Sequence, residues 1–169
     1  MLRTMVFGTV LGATALNPSL VLAADDARAP IHITADIPTK QFHVQPRNPD
    51  FGRDEYLYYN PLTYKFSSLR HTFDVKNTDG SVHAYIENGE STGSIPLTNG
   101  VDYVGLRVIF NDVPLDNRPK EVVDDATSTP GTQAEMLVVV ANQPTGPLSP
   151  GVYNADFTVI FDAVPRIQL

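Results

Sequence analysis

The sequence contains no cysteine and no tryptophan, and only 18% of its 169 residues are charged. Without cysteine the chain can form no disulfide, thiolate metal site or cysteine nucleophile. Lysine and arginine number 12 against 19 aspartate and glutamate residues, which gives a formal net charge of −7. Because a nucleic-acid-binding protein needs a basic face to neutralise phosphates, this balance excludes nucleic acid as a partner.

The residues that could carry catalysis or bind metal are scattered. The histidines lack the short spacing that metal-ligating helices use; they are His32, His43, His71 and His83. We interpret them as ordinary sheet residues. The adjacent pairs Asp25-Asp26 and Asp124-Asp125 are interpreted as solvated charges in polar loops. We therefore predict that the protein is not an enzyme and takes neither a cofactor nor a metal.

The first 23 residues have the pattern of a secretory signal peptide. Arg3 precedes an apolar stretch over 5–16, and residues 21–23 (VLA) place small side chains at the −3 and −1 positions of a cleavage site. The apolar stretch is too short to span a membrane. We predict a signal peptide over 1–23, an N-terminal extension over 24–40, and one domain over 41–169 that is exported.

The remaining sequence alternates apolar and polar residues, which is typical of β-strands. The alternating or continuously apolar segments are 31–37, 68–76, 82–87, 101–110, 134–141 and 152–163. Three turn dipeptides follow one another at short intervals, Asp79-Gly80, Asn88-Gly89 and Asn99-Gly100. Short strands at this spacing predict a β-sandwich, most simply of immunoglobulin-like topology. One helical turn is predicted at 120–124, within the polar segment 116–133.

The two ends of the domain suggest how it interacts. In the segment 31–37, one face carries Ile31, Ile33, Ala35 and Ile37. This segment is either the first strand of the sandwich or a strand that pairs with another molecule. At the other end, the last predicted strand places Tyr153, Phe157, Val159 and Phe161 on one face. No sequence remains to cover that strand, which would leave an apolar groove and an unpaired sheet edge.

Four blocks of sequence resemble a known family, the major pilins of the alternate chaperone–usher pathway (class 5, coli-surface-antigen-one or colonization-factor type). Residues 31–38 (IHITADIP) resemble its donor strand. Residues 57–61 (LYYNP), followed by Phe66, Arg70, Val75 and Asn77-Thr78-Asp79, fit the spacing of the family's L-x-Y-x-P block. Residues 133–139 resemble its penultimate strand, and 151–154 (GVYN) its G-x-Y motif. The resemblance covers nearly all of the chain after residue 23, except 116–133.

The resemblance implies an incomplete immunoglobulin-like sandwich that a neighbouring subunit completes with its N-terminal donor strand. Ile31, Ile33, Ala35 and Ile37 would fill the groove, Pro38 would be the hinge, and Tyr153, Phe157, Val159 and Phe161 would line the acceptor groove. A periplasmic chaperone would first cap the subunit, and an outer-membrane usher would exchange that cap for the next subunit. The product would be a fimbria on the surface of a Gram-negative bacterium, joined to a tip adhesin and supporting adhesion.

A second interpretation is an exported carbohydrate-binding or adhesive β-sandwich, of the minor pilin or adhesin type. It depends on a tyrosine-rich run that could form a platform for stacking sugars; its members are Tyr56, Tyr58, Tyr59 and Tyr64. The simpler explanation is that these tyrosines are strand and core residues, because tyrosine favours strands. A third possible function is that of a periplasmic chaperone. This function is disfavoured because the chain is long enough for only one β-sandwich.

Overall fold

The computed structural model describes residues 32–35, 41–53 and 55–167. The chain divides into two units, Met1–Asp36 and Ile37–Leu169, and the described strands lie in the second. The predicted signal peptide lies outside the described residues. In chain order the elements are β1 Phe42–Pro46, β2 Tyr59–Asn60, β3 Lys65–Phe66, β4 Leu69–Asn77, β5 Gly80–Ile86, β6 Ser94–Thr98, β7 Tyr103–Phe110, β8 Val113–Pro114, β9 Lys120–Val123, α1 Asp125–Ser128, β10 Thr132–Val140 and β11 Val159–Pro165.

The strands form two main sheets and one small hairpin. The larger sheet has the order β1-β4-β10-β7-β6, with β8 beside β7, and the smaller has the order β11-β5-β9. The hairpin consists of β2 and β3. Both main sheets contribute buried residues to one hydrophobic core. The predicted all-β class is therefore confirmed, and the pairing fits an immunoglobulin-like sandwich. No helix within the described ranges is long and apolar enough to cross a membrane.

The chain passes from the larger sheet to the smaller one at the turn between β4 and β5. Alternation in both strands buries one face, for example Phe73 on β4 and Val82 on β5. Gly80 opens β5, where an added Cβ would lie 2.0 Å from the backbone oxygen of Val164. Gly80 is thus required by the close approach of β11, whereas Gly100 has the positive φ, 87°, that the predicted turns need.

The segment 116–133 differs from its prediction. Residues 120–124 were expected to form a helical turn, but Lys120–Val123 is strand β9, which pairs with β5. Val122 and Val123 are buried there, so burial against β5 outweighs the weak local helical preference. The helical turn follows directly as α1, capped by the Asp124 side chain, which accepts a hydrogen bond from the Thr127 amide.

The last strand is shorter and lies later than predicted. Pairing with β5 begins only at Val159 and continues to Pro165, so the strand bounds 152–163 were wrong. Before that point the chain touches the other sheet, through an isolated bridge between Thr98 and Asn154. The chain therefore crosses from one sheet to the other over 155–158. Alternation alone does not show that a strand changes partners.

Candidate functional site

The last strand, β11, has an open edge. β5 pairs with one side of it, and no described strand pairs with the other. Alternate residues of an antiparallel strand direct their backbone groups to opposite sides. Because the Thr158 oxygen accepts a hydrogen bond from the Glu87 amide, the groups of Val159 and Phe161 are directed toward the open side. This edge can therefore hydrogen-bond an added extended chain.

An apolar cavity of about 540 Å³ lies beside this edge. Its walls combine side chains from both sheets and from the loop after β1. The apolar and aromatic members are joined by polar ones, Arg53, Glu55, Asn154 and Asp156; the others include Phe51, Leu69, His71, Phe73, Met136, Val138, Phe157, Val159 and Phe161. A second cavity of about 460 Å³ continues it past Ala155 to Tyr153, Leu97 and Leu106. Residues 154–157 line both cavities. We call the two cavities together the groove.

The floor of the groove at the β11 end is a cluster of aromatic rings. The Phe161 ring lies 4.9 Å from that of Phe110 and 6.0 Å from that of Phe73. Phe51, from the loop after β1, contacts the Phe73 ring edge-on at 5.2 Å. Phe110 is fully buried, whereas Phe161 and Phe51 are only half-buried because the groove opens above them. Filling the groove would therefore remove further aromatic surface from water.

A polar pair interrupts the apolar wall. His71 lies on the inward face of β4, and its Nε2 is 3.2 Å from Oε2 of Glu55. The side chains are 13% and 29% exposed, and the imidazole also meets the Phe51 ring edge-on at 4.7 Å. The pair joins the loop after β1 to β4 and so fixes the wall opposite β11.

Polar networks hold the last segment of the chain at both ends of the groove. At the later end, Arg166 binds the carboxylate of Asp125 and the hydroxyl of Thr129. Hydrogen bonds from Arg166, and then from Thr129, hold the pKa of Asp125 below its usual value. The two residues of the Asp124-Asp125 pair are accessible to solvent, as expected, but they also serve as a helix cap and an ion-pair partner.

At the earlier end, Thr98 and Asn154 exchange two backbone hydrogen bonds of 3.0 and 2.9 Å. Asp102 accepts a hydrogen bond of 2.7 Å from the Ser149 amide, which is the main cause of its lowered pKa. The Tyr153 hydroxyl donates to the Ser149 carbonyl at 3.0 Å and lies 3.4 Å from the Asp102 carboxylate. Burial, followed by the nearby Asp102 charge, raises the pKa of Tyr153.

The structure places the four residues predicted for the acceptor, Tyr153, Phe157, Val159 and Phe161, along one wall of this groove. Their function there stays a prediction. Of the predicted donor residues, Ile31, Ile37 and the hinge candidate Pro38 lie outside the described residues. Ile33 is 85% exposed, and Ala35 is exposed as well. Residues 32–35 are not part of a strand here.

The opposite wall was not singled out from the sequence. Leu69, His71 and Phe73 come from β4, and Met136 and Val138 from β10. In the sequence, His71 alternates in step with Leu69 and Phe73, which is a local signal that it shares their face of β4. Partnership between distant segments, such as Glu55 with His71, leaves no local pattern.

The tyrosine-rich run does not form one platform. Tyr56 and Tyr58 are 68% and 77% exposed, but Tyr59 packs its ring at 5.0 Å against Phe66 and buries its hydroxyl. An open depression of about 550 Å³ lies over the β2–β3 hairpin. Tyr58 and Tyr59 line it together with residues of the turn between the two strands, such as Pro61 and Leu62. Tyr59 is therefore packed within the domain, whereas Tyr56 and Tyr58 are exposed.

The segment 89–93 (GESTG) matches the G-x-S-x-G pattern of a nucleophile elbow, which was overlooked in the sequence. In the structure it lies between strands β5 and β6, and Ser91 is exposed. A nucleophile elbow joins a strand to a helix and holds the serine beside a histidine, and neither condition is met here among the described residues. The match is therefore a coincidence of a glycine-rich turn.

An all-β domain with an unpaired strand edge beside an apolar groove is of the class that can bind an extended segment by strand addition. The family model of the CS1 type fimbrial major subunit matches residues 27–162. The chain therefore belongs to the CS1-type fimbrial major subunit family, which confirms the family resemblance. It is a structural subunit of a surface fimbria of Gram-negative bacteria, it polymerises with other pilin subunits, and it is not an enzyme.

Among solved structures, the CooA pilin subunit from enterotoxigenic Escherichia coli is similar. The two chains are 16% identical, with a TM-score of 0.49, and the match covers 75% of this chain and 92% of that one. No curated protein sequence matches the chain.

Proposed function

We propose that the groove is the acceptor site for the N-terminal segment of a neighbouring subunit, and that subunits polymerise head to tail by exchanging this strand. The observation that carries the proposal is the open edge of β11 beside an apolar groove. Ile31, Ile33, Ala35 and Ile37 are the groove-filling residues. Pro38 is the hinge that allows the donor strand to leave its own subunit.

The dimensions of the groove support this assignment. Tyr153 and Phe161, at its two ends, are eight residues apart, so they are separated by at most roughly 26 Å, the length of a fully extended chain. The segment 31–37 spans roughly 20 Å between its first and last residues at the same rise per residue. A single strand of this length therefore covers at least about three quarters of the span between Tyr153 and Phe161.

The energetics also fit. Burying each isoleucine contributes about 1.5–3 kcal/mol, whereas ordering the strand costs about 1–2 kcal/mol per residue. The donor segment alone therefore gains little. The larger gain comes from the acceptor, because its half-buried rings, such as Phe161 and Phe51, lose contact with water when the groove is filled.

The remaining steps are those that the family resemblance implies. A periplasmic chaperone covers the unpaired edge, which would otherwise favour aggregation, and an outer-membrane usher exchanges the chaperone for the next subunit. The signal peptide over 1–23 directs export to the periplasm. A tip adhesin ends the filament, and the filament supports adhesion to host cells or surfaces.

Introduced cysteines provide a direct test, because the chain has none of its own. Thr34, which alternates with the groove-filling residues, is changed to cysteine together with Thr158→Cys, Ile160→Cys or Asp162→Cys on the outer face of β11. Directly opposed residues of paired strands have Cβ atoms about 4.5–5.5 Å apart, which is close enough for a disulfide to form with slight adjustment.

One of the three pairs is expected to produce a ladder of covalent multimers on non-reducing gels of whole fimbriae. Each single-cysteine variant is the control and gives no ladder. Fimbriae that form normally without a ladder from any pair would contradict the proposal. So would a disulfide within one chain, because the segment would then complete its own subunit.

A further inference from the structure

The Tyr59 hydroxyl is a buried polar group without a hydrogen-bond partner. Among the described residues it is the one buried side-chain oxygen or nitrogen for which no partner exists. A phenol can donate one hydrogen bond, and leaving such a group unsatisfied inside a protein opposes folding. An unsatisfied group of this kind requires a structural or functional explanation.

The surroundings of Tyr59 explain why it lacks a partner. Strand β2 holds Tyr59 opposite Phe66, and the Gln143 side chain fixes β3 by hydrogen bonds to both backbone groups of Phe66. The ring is therefore held in place. The hydroxyl of Tyr153, which lines the same cavity, already donates to the Ser149 carbonyl at 3.0 Å. Glu55, Asn154 and Asp156 also line this cavity, but none of their oxygens lies within hydrogen-bond distance of the Tyr59 hydroxyl.

Tyr59 lines the groove at the end where β11 has not yet begun. The facing segment, 155–157, belongs to no strand. The bridge at Asn154 holds its start to β6, and the hydrogen bond from the Glu87 amide to the Thr158 carbonyl holds its end beside β5. Between these two points the segment can adjust when another chain enters. An extended chain offers a carbonyl acceptor at every residue, which is the group that a phenol donor lacks here.

We infer that the Tyr59 hydroxyl donates a hydrogen bond to a backbone carbonyl of the donor segment and so positions that segment in the groove. The inference rests on the proposed acceptor function of the groove. Tyr59 is then a positioning residue. An apolar groove selects side chains by their volume, but it fixes the register of the donor segment along the groove only weakly. A single directional hydrogen bond distinguishes the correct register from one displaced by one residue, because successive carbonyls of an extended chain point to opposite sides.

The test compares Tyr59→Phe with the wild-type chain from Ala24, kept at nanomolar concentration so that it remains monomeric. A fluorescently labelled peptide of residues 29–40 is the probe, and its affinity is measured by fluorescence anisotropy. A neutral hydrogen bond contributes about 1 kcal/mol, so the peptide is expected to bind roughly 5-fold more weakly to Tyr59→Phe. The urea midpoint of the peptide-free variant is expected to be unchanged or higher, because an unsatisfied hydroxyl has been removed.

Tyr153→Phe is the matched control. Its hydroxyl already has a partner in the subunit, so its loss is expected to lower the urea midpoint of the peptide-free protein. Peptides with a single amide replaced by an ester identify the acceptor, since an ester carbonyl accepts hydrogen bonds poorly. One ester is expected to weaken binding to the wild type and to have less effect on Tyr59→Phe.

Three other results would overturn the inference, and each has a different meaning. Equal affinity of both proteins for the peptide would show that Tyr59 makes no bond to it, while the acceptor function would stand. A lower urea midpoint for peptide-free Tyr59→Phe would show that the hydroxyl is already satisfied in the subunit. Failure of the wild type itself to bind the peptide would reject the proposed acceptor function, and the inference with it.

Discussion

Arg166 and Asp125 form a two-point ion pair that ties the end of β11 to α1. The guanidinium Nε lies 2.9 Å from Oδ2 of Asp125, and Nη2 lies 2.7 Å from Oδ1. The Arg166 amide also donates to the Asp79 carbonyl at 2.7 Å, so the same residue joins the turn between β4 and β5. Three parts of the chain therefore meet at the end of the acceptor edge.

The first prediction concerns this pair. Asp125→Asn keeps the shape of the side chain but removes its charge, and we expect a lower urea midpoint because the bidentate charge-assisted geometry is lost. Arg166→Gln should lower the midpoint similarly. The double variant should lose less free energy of unfolding than the sum of the losses in the two single variants. Asp50→Asn is the control: its pair with Arg53 is highly exposed, so little change is expected. Fully additive effects would contradict the pairing.

The second prediction concerns acid. Hydrogen bonds, first from Arg166, lower the folded-state pKa of Asp125, and hydrogen bonds from Ser149 and Thr127 do the same for Asp102 and Asp124. In the unfolded chain these carboxyls have the usual aspartate pKa of about 3.9. As the pH falls, the unfolded chain therefore binds protons before the folded chain does.

The stability that these carboxylates contribute is present above about pH 5. It is lost as the pH falls through the unfolded and then the lowered folded pKa. Urea unfolding measured between pH 2.5 and 6 should show this loss, and Asp125→Asn should show a shallower dependence. An identical pH dependence in the variant would contradict the assigned cause.

Strict local alternation could be predicted from the sequence, and partnership between distant segments could not. Strand β4 was expected at 68–76 and lies at Leu69–Asn77, because its period of two reflects a buried and an open face over nine residues. The strands β2 and β3 have only two residues each, too few to show a period. Their positions depend on contacts such as that of Phe66 with Gln143, 77 residues away.

The groove was predicted in outline from the same alternation. It placed Phe157, Val159 and Phe161 on one face, and all three line the groove. The end of β11 could not be predicted, because it is set by the pairing of Arg166 with Asp125, 41 residues apart in the sequence. The unsatisfied hydroxyl of Tyr59 depends on the placement of its neighbours and has no signature in the sequence.

The third prediction concerns the contact between β5 and β11. In Gly80→Ala the new Cβ would meet the Val164 oxygen at 2.0 Å, and both atoms belong to rigid, paired strands. We expect a loss of about 2–3 kcal/mol in the free energy of unfolding, at the upper end of overpacking effects. Gly146→Ala is the control, since nothing lies within 4 Å of its added Cβ and its φ is not positive. Equal urea midpoints for the two variants would show that β11 can shift without cost.

The last prediction separates donating a strand from folding. Ile33 is 85% exposed in the subunit, so Ile33→Asp should leave the urea midpoint of the monomeric chain unchanged. In the filament, however, the aspartate would have to enter the apolar groove, where an unpaired charge is strongly disfavoured. We expect no multimer ladder on unheated gels and no fimbriae by electron microscopy. Val101→Asp, at a site of similar exposure (79%) outside the groove, should polymerise normally. Normal fimbriae from Ile33→Asp would exclude residues 31–37 as the strand that enters the groove.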